Sequence, residues 1–231
     1  MDLGIIGDIL FPPTCVACGG GIEKGVICGP CLAGITRYRT LFCGSCMARL
    51  PMNRKICHAG APYLLGAAGP YDDGALAALI HALKFRGIAA AAEPLAGILA
   101  DYAAERLRLD LANAIVTPLP LSANRQRSRG FNQSALIARR FAAALDLPLE
   151  EHLLRRIVHR KPQSETDGIL ERLENVRGCF AADAANARKI AGATLLLIDD
   201  VVTSGTTLTE ASTVLKANSA KKIIALAVAK A

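Results

Sequence analysis

Tryptophan is absent from the 231 residues, and aromatic residues make up only 4 % of them. A core built from this chain has to be aliphatic, and its surface has few rings on which nucleobases can stack. No apolar run reaches the ~18 residues that suggest a membrane span. The opening residues, MDLGIIGDILFPPTC, are acidic rather than basic and have no long apolar centre, so they do not read as a secretory signal. They predict a short amphipathic helix stopped by Pro12 and Pro13. A cytoplasmic location is the resulting expectation. The length allows one good-sized domain plus a small appendage.

The most informative stretch is Leu195–Leu208, LLLIDDVVTSGTTL. An apolar run ends in two acids, Asp199 and Asp200. Val201 and Val202 follow, then a loop of small hydroxyl residues around one glycine: Thr203, Ser204, Gly205, Thr206 and Thr207. A helical pattern begins directly afterwards. The free N–H groups and positive dipole end of that helix suit an anion, and Gly205 permits close backbone approach. Adjacent acids at a strand end are costly as packing, but suit a sugar diol as acceptors. A phosphate beside a diol describes a ribose 5-phosphate. No lysine follows the glycine, which excludes a Walker-type loop. On this reading Gly205→Val would place a branched side chain where the anion sits.

The formal charge is +7, which favours anionic partners. Arg125, Arg127 and Arg129 form one basic knot; Arg155, Arg156, His159, Arg160 and Lys161 form another. The first knot follows AIVTPLP, Ala114–Pro120, a buried strand ending in a proline-broken loop. A leaving pyrophosphate needs positive charge where its own charge develops. Arg125 and Arg129 are therefore candidate phosphate or pyrophosphate contacts, while Arg127 is left to solvent.

Seven of the eight cysteines lie before residue 58. Cys15–Cys18, Cys28–Cys31 and Cys43–Cys46 are each C-x-x-C, the tight-turn spacing of zinc knuckles. The first four complete a four-thiolate site. A second site has Cys43, Cys46 and Cys57. Gly60 stands where a fourth cysteine would be expected, and His58 is an alternative fourth ligand, although adjacent ligands are geometrically awkward. A degenerate second site is the other reading. Zinc would supply the folding free energy of so small a module, whose role reads as structural, or as a docking or nucleic-acid surface. Cys179 reads as a buried apolar thiol.

Elsewhere the periodicity predicts helices over 73–85, 92–108, 131–145, 169–176 and 205–217, and strands at 62–69, 114–120, 153–158, 195–198 and 223–229. Residues 47–62 read as a linker and 159–168, HRKPQSETDG, as a polar loop. Alternation of this kind implies an α/β fold, a parallel sheet with helices on both faces, with ligands at the carboxyl ends of its strands. The expected division is 1–62, a double zinc ribbon, and 63–231, the α/β domain.

The strand, paired acids and TSGTT loop resemble the 5-phosphoribosyl-1-pyrophosphate (PRPP) motif of type I phosphoribosyltransferases. The cysteine module, LIHALKFRG at 79–87, RxxxRGFNQ at 125–133 and IDDVVTSGTT at 198–207, in that order, resemble the ComF family, competence-associated phosphoribosyltransferase-like proteins linked to uptake of single-stranded DNA. The resemblance implies that Asp199 and Asp200 hold ribose hydroxyls directly or through Mg²⁺, that Val201–Thr207 bind PRPP through its phosphate, and that Thr117, Pro118 and Leu119 face pyrophosphate. His81 and Lys84 read as a helix face packed on the sheet, with a catalytic role as the alternative. Three functions stay open: an enzyme transferring phosphoribosyl to or from a base, a single-stranded-DNA-handling protein, and a PRPP-controlled regulator that docks to DNA-uptake machinery.

Overall fold

In the computed structural model, residues 13–51, 57–157 and 178–231 are described. In chain order the elements are α1 (Gly29–Ala33), β1 (Leu41–Cys43), β2 (Leu64–Pro70), α2 (Gly74–Phe85), α3 (Ala92–Arg106), α4 (Arg108–Leu111) and β3 (Ala114–Pro118). They continue with α5 (Ala123–Arg129), α6 (Gln133–Ala144), β4 (Leu154–Arg156), β5 (Phe180–Ala182), α7 (Ala187–Ile190), β6 (Thr194–Val202), α8 (Thr206–Ala217) and β7 (Lys222–Lys230). The expected helices at 73–85, 92–108, 131–145 and 205–217 are present, as are the five strands. The N-terminal helix, the 159–168 loop, the 169–176 turn and three members of the second basic knot, His159, Arg160 and Lys161, lie outside the described residues.

The main sheet has the order β1-β2-β7-β6-β3. β2, β7, β6 and β3 are parallel; β1 runs antiparallel to β2, with Cys43 opposite Leu64. Because successive strand residues face opposite sides, β6 sends Leu196 and Ile198 into one core and Leu195 and Leu197 into the other. Leu83 of α2, Leu95 and Leu99 of α3, and Ile137 and Phe141 of α6 cover the first side. Leu208, Ala211 and Leu215 of α8, with Phe180 of β5, cover the second. Both faces are thus mainly aliphatic, as the scarcity of aromatics requires, and burying each leucine contributes roughly 2 kcal/mol before entropy is counted.

Residues 44–50 are not a free linker. They turn back beside β1, where Leu50 is buried and its N–H donates to the Leu41 carbonyl at 2.8 Å. The cysteine-rich region is tied down a second time at the start of α2. Asp73 caps that helix, accepting from the Ala75 and Leu76 amides at 3.1 and 3.0 Å, and its other oxygen accepts from the Thr36 amide at 2.9 Å. Two short strands, β1 and β5, were not expected.

Candidate functional site

β6 extends four residues past its predicted end, so Asp199 and Asp200 are strand residues rather than loop residues. Asp199 is partly buried and Asp200 is buried. The Ser134 hydroxyl, in the first turn of α6, donates to Asp199 Oδ1 at 3.1 Å, and the Asp200 amide donates to the same oxygen at 2.9 Å. Lys84 Nζ lies 2.9 Å from Asp200 Oδ1 in an ion pair whose acidic side chain is only 5 % exposed. Lys84 therefore leaves the packed helix face and enters the crevice, contrary to expectation. Asp200 Oδ2 is buried with no hydrogen-bond partner among the described residues. Burial, and then the neighbouring Asp200 charge, raise Asp199 to about 7, against the pull of the Asp200 amide, Lys84 and Ser134.

Beyond Val202 the chain forms the short loop Thr203–Gly205 and enters α8 at Thr206. Thr203 and Ser204 are exposed, and the Ser204 and Thr206 hydroxyls pair at 2.9 Å. No side chain caps α8, so its first-turn amides face the loop. Gly205 has φ +73°, a left-handed conformation that favours glycine. A side chain there would face Met47 and Tyr63. A Cβ there would overlap Met47 Cε and lie 2.6 Å from the Tyr63 hydroxyl. The expected failure of Gly205→Val by filling the anion's place is thus corrected: the first clash is with the cysteine-rich module.

Thr117 and Leu119, at the end of β3, are buried, and Thr117 Oγ1 has no partner among the described residues. Leu119 donates to the Ile198 carbonyl at 2.9 Å and accepts from Asn132 Nδ2 at 3.1 Å, which fixes the end of β3 beside β6. The arginine knot is helix α5 rather than a loop, capped by Ser122 and ended by Gly130 in the left-handed region. Those two residues carried a legible helix signal. Neither Arg125 nor Arg129 makes an ion pair with a described residue; the Arg129 guanidinium lies 5.6 Å from the centre of the Phe85 ring. Phe85, 67 % exposed, is the one large hydrophobic exposed among the described residues. His81 meets it edge-on at 5.2 Å and shares a 3.0 Å hydrogen bond with the Tyr71 hydroxyl.

Cys15, Cys18, Cys28 and Cys31 converge, as do Cys43, Cys46, Cys57 and His58, with the ligand atoms of each group within 4.8 Å of one another. Four sulfurs around a tetrahedral zinc would be about 3.8 Å apart; Cys18–Cys28 and Cys46–Cys57 are each 3.9 Å apart. The second group is completed by His58 Nδ1, 3.4 Å from Cys43 Sγ, so adjacency to Cys57 does not prevent convergence. The amides of residues 18 and 28 pull the Cys15 thiol down to about 6. Burial opposes ionisation of Cys43, but the amides of residues 46 and 45 and the His58 ring outweigh it, also to about 6. Donor set and spacing fit zinc at both groups.

Two outcomes follow. Protein purified without chelator should carry about two zinc ions per chain, and His58→Ala about one, by metal analysis. Asp199 ionises less readily folded than unfolded, so its penalty on stability is absent below about pH 4, grows until about pH 7 and is constant above. Asp199→Asn should therefore melt above the wild type at pH 8 in magnesium-free buffer, with a smaller difference at pH 5.

Residues 131–231 match the family of the phosphoribosyl transferase domain, and residues 6–59 match the double zinc ribbon domain. The chain is 29 % identical over 205 residues to Competence protein F of Haemophilus influenzae, spanning 87 % of this chain and 83 % of that protein. It is 26 % identical over 212 residues to the DNA utilization protein YhgH of Salmonella typhimurium, spanning 90 % and 86 % of the two chains. The double zinc ribbon match spans both cysteine groups, and the phosphoribosyl transferase match spans β6, the loop after it and α8. With relatives alike over most of their length, they give this chain a phosphoribosyl transferase domain preceded by a double zinc ribbon, in keeping with the resemblance its motifs carry.

Proposed function

We propose that the crevice binds a 5-phosphoribosyl group, presented as PRPP with Mg²⁺. The observation that carries this reading is the pair of acids, Asp199 and Asp200, in the last part of a buried strand that a short loop joins to an uncapped helix N-terminus. The 5-phosphate sits against the amides and hydroxyls of Thr203–Thr207. The acids take the ribose hydroxyls, directly or through the metal. The unpartnered Asp200 Oδ2 is a hard oxygen donor of the kind Mg²⁺ accepts, and the bound ion supplies countercharge to the pyrophosphate. The Thr117–Leu119 segment, with Arg125 and Arg129 from α5, flanks the pyrophosphate. Transfer of phosphoribosyl to or from a nitrogenous base would use the same groups, with the acids stabilising positive charge on the ribose. Residues 1–62 serve as the zinc-stabilised module and 63–231 as the ligand-binding domain, in a cytoplasmic protein whose thiols stay reduced.

A second reading, handling of single-stranded DNA alongside DNA-uptake machinery with the phosphoribosyl site as regulator, is favoured by the exposed Phe85 ring under Arg129 at the crevice mouth. A lone ring with a guanidinium can hold one base, and binding beyond that would be electrostatic and salt-sensitive. The relatives' names, competence and DNA utilization, agree with it.

The test is calorimetric titration of PRPP with Mg²⁺ into the wild type and the Asp199→Asn, Asp200→Asn double variant. Binding by the wild type that falls at least ~100-fold in the variant supports the reading, a loss of about 2.7 kcal/mol. Equal affinity in both removes the acids from the site. Single-stranded DNA binding that is unchanged in this variant, but lost in Phe85→Ala and at higher salt, would support the second reading. Binding insensitive to both changes would sink it.

A further inference from the structure

The two cysteine groups differ in what they touch. The first lies in the chain before β1. The second is built on β1 itself, since Cys43 is the last residue of that strand. Its turn leads straight to the phosphate loop. Met47 follows the ligand Cys46 directly, and its amide closes the knuckle on the Cys43 carbonyl at 2.9 Å. Its backbone is held at φ +59°, an uncommon state for a residue with a side chain. The side chain reaches Gly205, where Cε fills the space a Cβ would occupy and Sδ lies 3.4 Å from that position.

Tyr63 makes the second link. Its ring is buried at the start of β2, and its hydroxyl donates to the Gly205 carbonyl at 3.3 Å. It is held in turn by Gly44 in the knuckle, where even a Cβ would lie 2.9 Å from Tyr63 Cδ2 and overlap the Tyr63 carbonyl. Two side chains braced by one knuckle thus meet the same glycine. Thr203 and Ser204 are exposed, and among the described residues the loop's other ties are the Thr209 amide on the Gly205 carbonyl at 2.8 Å and the hydroxyl pair of Ser204 and Thr206.

We propose that the second metal group, Cys43, Cys46, Cys57 and His58, is a clamp on the phosphate loop, with Met47 and Tyr63 as the positioning residues that transmit it. The proposal rests on the phosphoribosyl reading only for the consequence on affinity. The clamp itself concerns the conformation of residues 203–208. Metal in this group fixes Cys46 relative to Cys43, and so fixes Met47 on Gly205. Loss of the metal frees the turn and lets the loop open without disturbing the sheet. A spare methyl or thioether packed by chance would have no such dependence on metal.

The experiment compares full-length wild type with Met47→Ala, Met47→Leu and His58→Ala. It reads bound zinc, amide hydrogen exchange over residues 203–208, and affinity for PRPP with Mg²⁺. Met47→Ala should keep wild-type zinc while loop exchange rises, and affinity should fall, each about tenfold, or about 1.4 kcal/mol. Met47→Leu, which refills the space over Gly205, should restore both to near wild-type values. His58→Ala should lose about one zinc and reproduce the fast loop exchange. Loop exchange unchanged in both Met47→Ala and His58→Ala would overturn the clamp. Should the wild type fail to bind PRPP while exchange still rises in those variants, the clamp stands and the ligand assignment falls.

Discussion

Two carboxylates at the end of a buried strand have to be compensated, and the surrounding elements are arranged around that need. Asp200 is answered by Lys84 from α2, and Asp199 by Ser134 from α6 and by the Asp200 amide. Neither answer is complete. One Asp200 oxygen remains without a partner among the described residues, and burial and then the Asp200 charge raise Asp199 to about 7. A site left under-compensated in this way has a use for a cation and for hydroxyl donors. Its neighbour is an uncapped helix end with the opposite preference. Phosphate on one side and a polyol on the other satisfy both.

The same crevice explains why the sheet is built as it is. β6 and β3 are adjacent and parallel, so the loops that follow them open on the same edge. α2 and α6 pack on one face and deliver Lys84 and Ser134 to it. α8 packs on the other and presents its N-terminus. The zinc-ribbon region is part of this construction. β1 adds an antiparallel edge to the sheet, Asp73 ties Thr36 to the start of α2, and Met47 with Tyr63 reach Gly205 in the loop before α8.

Much of this was legible in the sequence because it rests on local rules. The apolar run before Asp199, the hydroxyl loop and the amphipathic stretch after it fix β6 and α8. The C-x-x-C spacings fix the metal groups. What escaped depends on tertiary contact. β1 and β5 are three residues each, too short for periodicity, and exist because partners pair with them. Lys84 looked like one more residue of a helix face, and only the closeness of α2 to β6 turns it toward Asp200. His58 looked badly placed beside Cys57 until the return of the chain to β1 brought its ring to Cys43. Gly205 was read as room for an anion, whereas its bare side faces Met47. The arginine helix α5 was a miss of a different kind, since Ser122 and Gly130 announced both of its ends.

The central claim is that the acids and the loop form one phosphoribosyl site. A crystal structure of the chain with PRPP and Mg²⁺ tests it most directly. The account predicts the 5-phosphate within hydrogen-bond reach of the amides of Thr203–Thr207 and the ribose hydroxyls, or the ion that holds them, against Asp199 and Asp200. Density for the ligand elsewhere, with the Lys84–Asp200 pair and the loop unchanged, would contradict it.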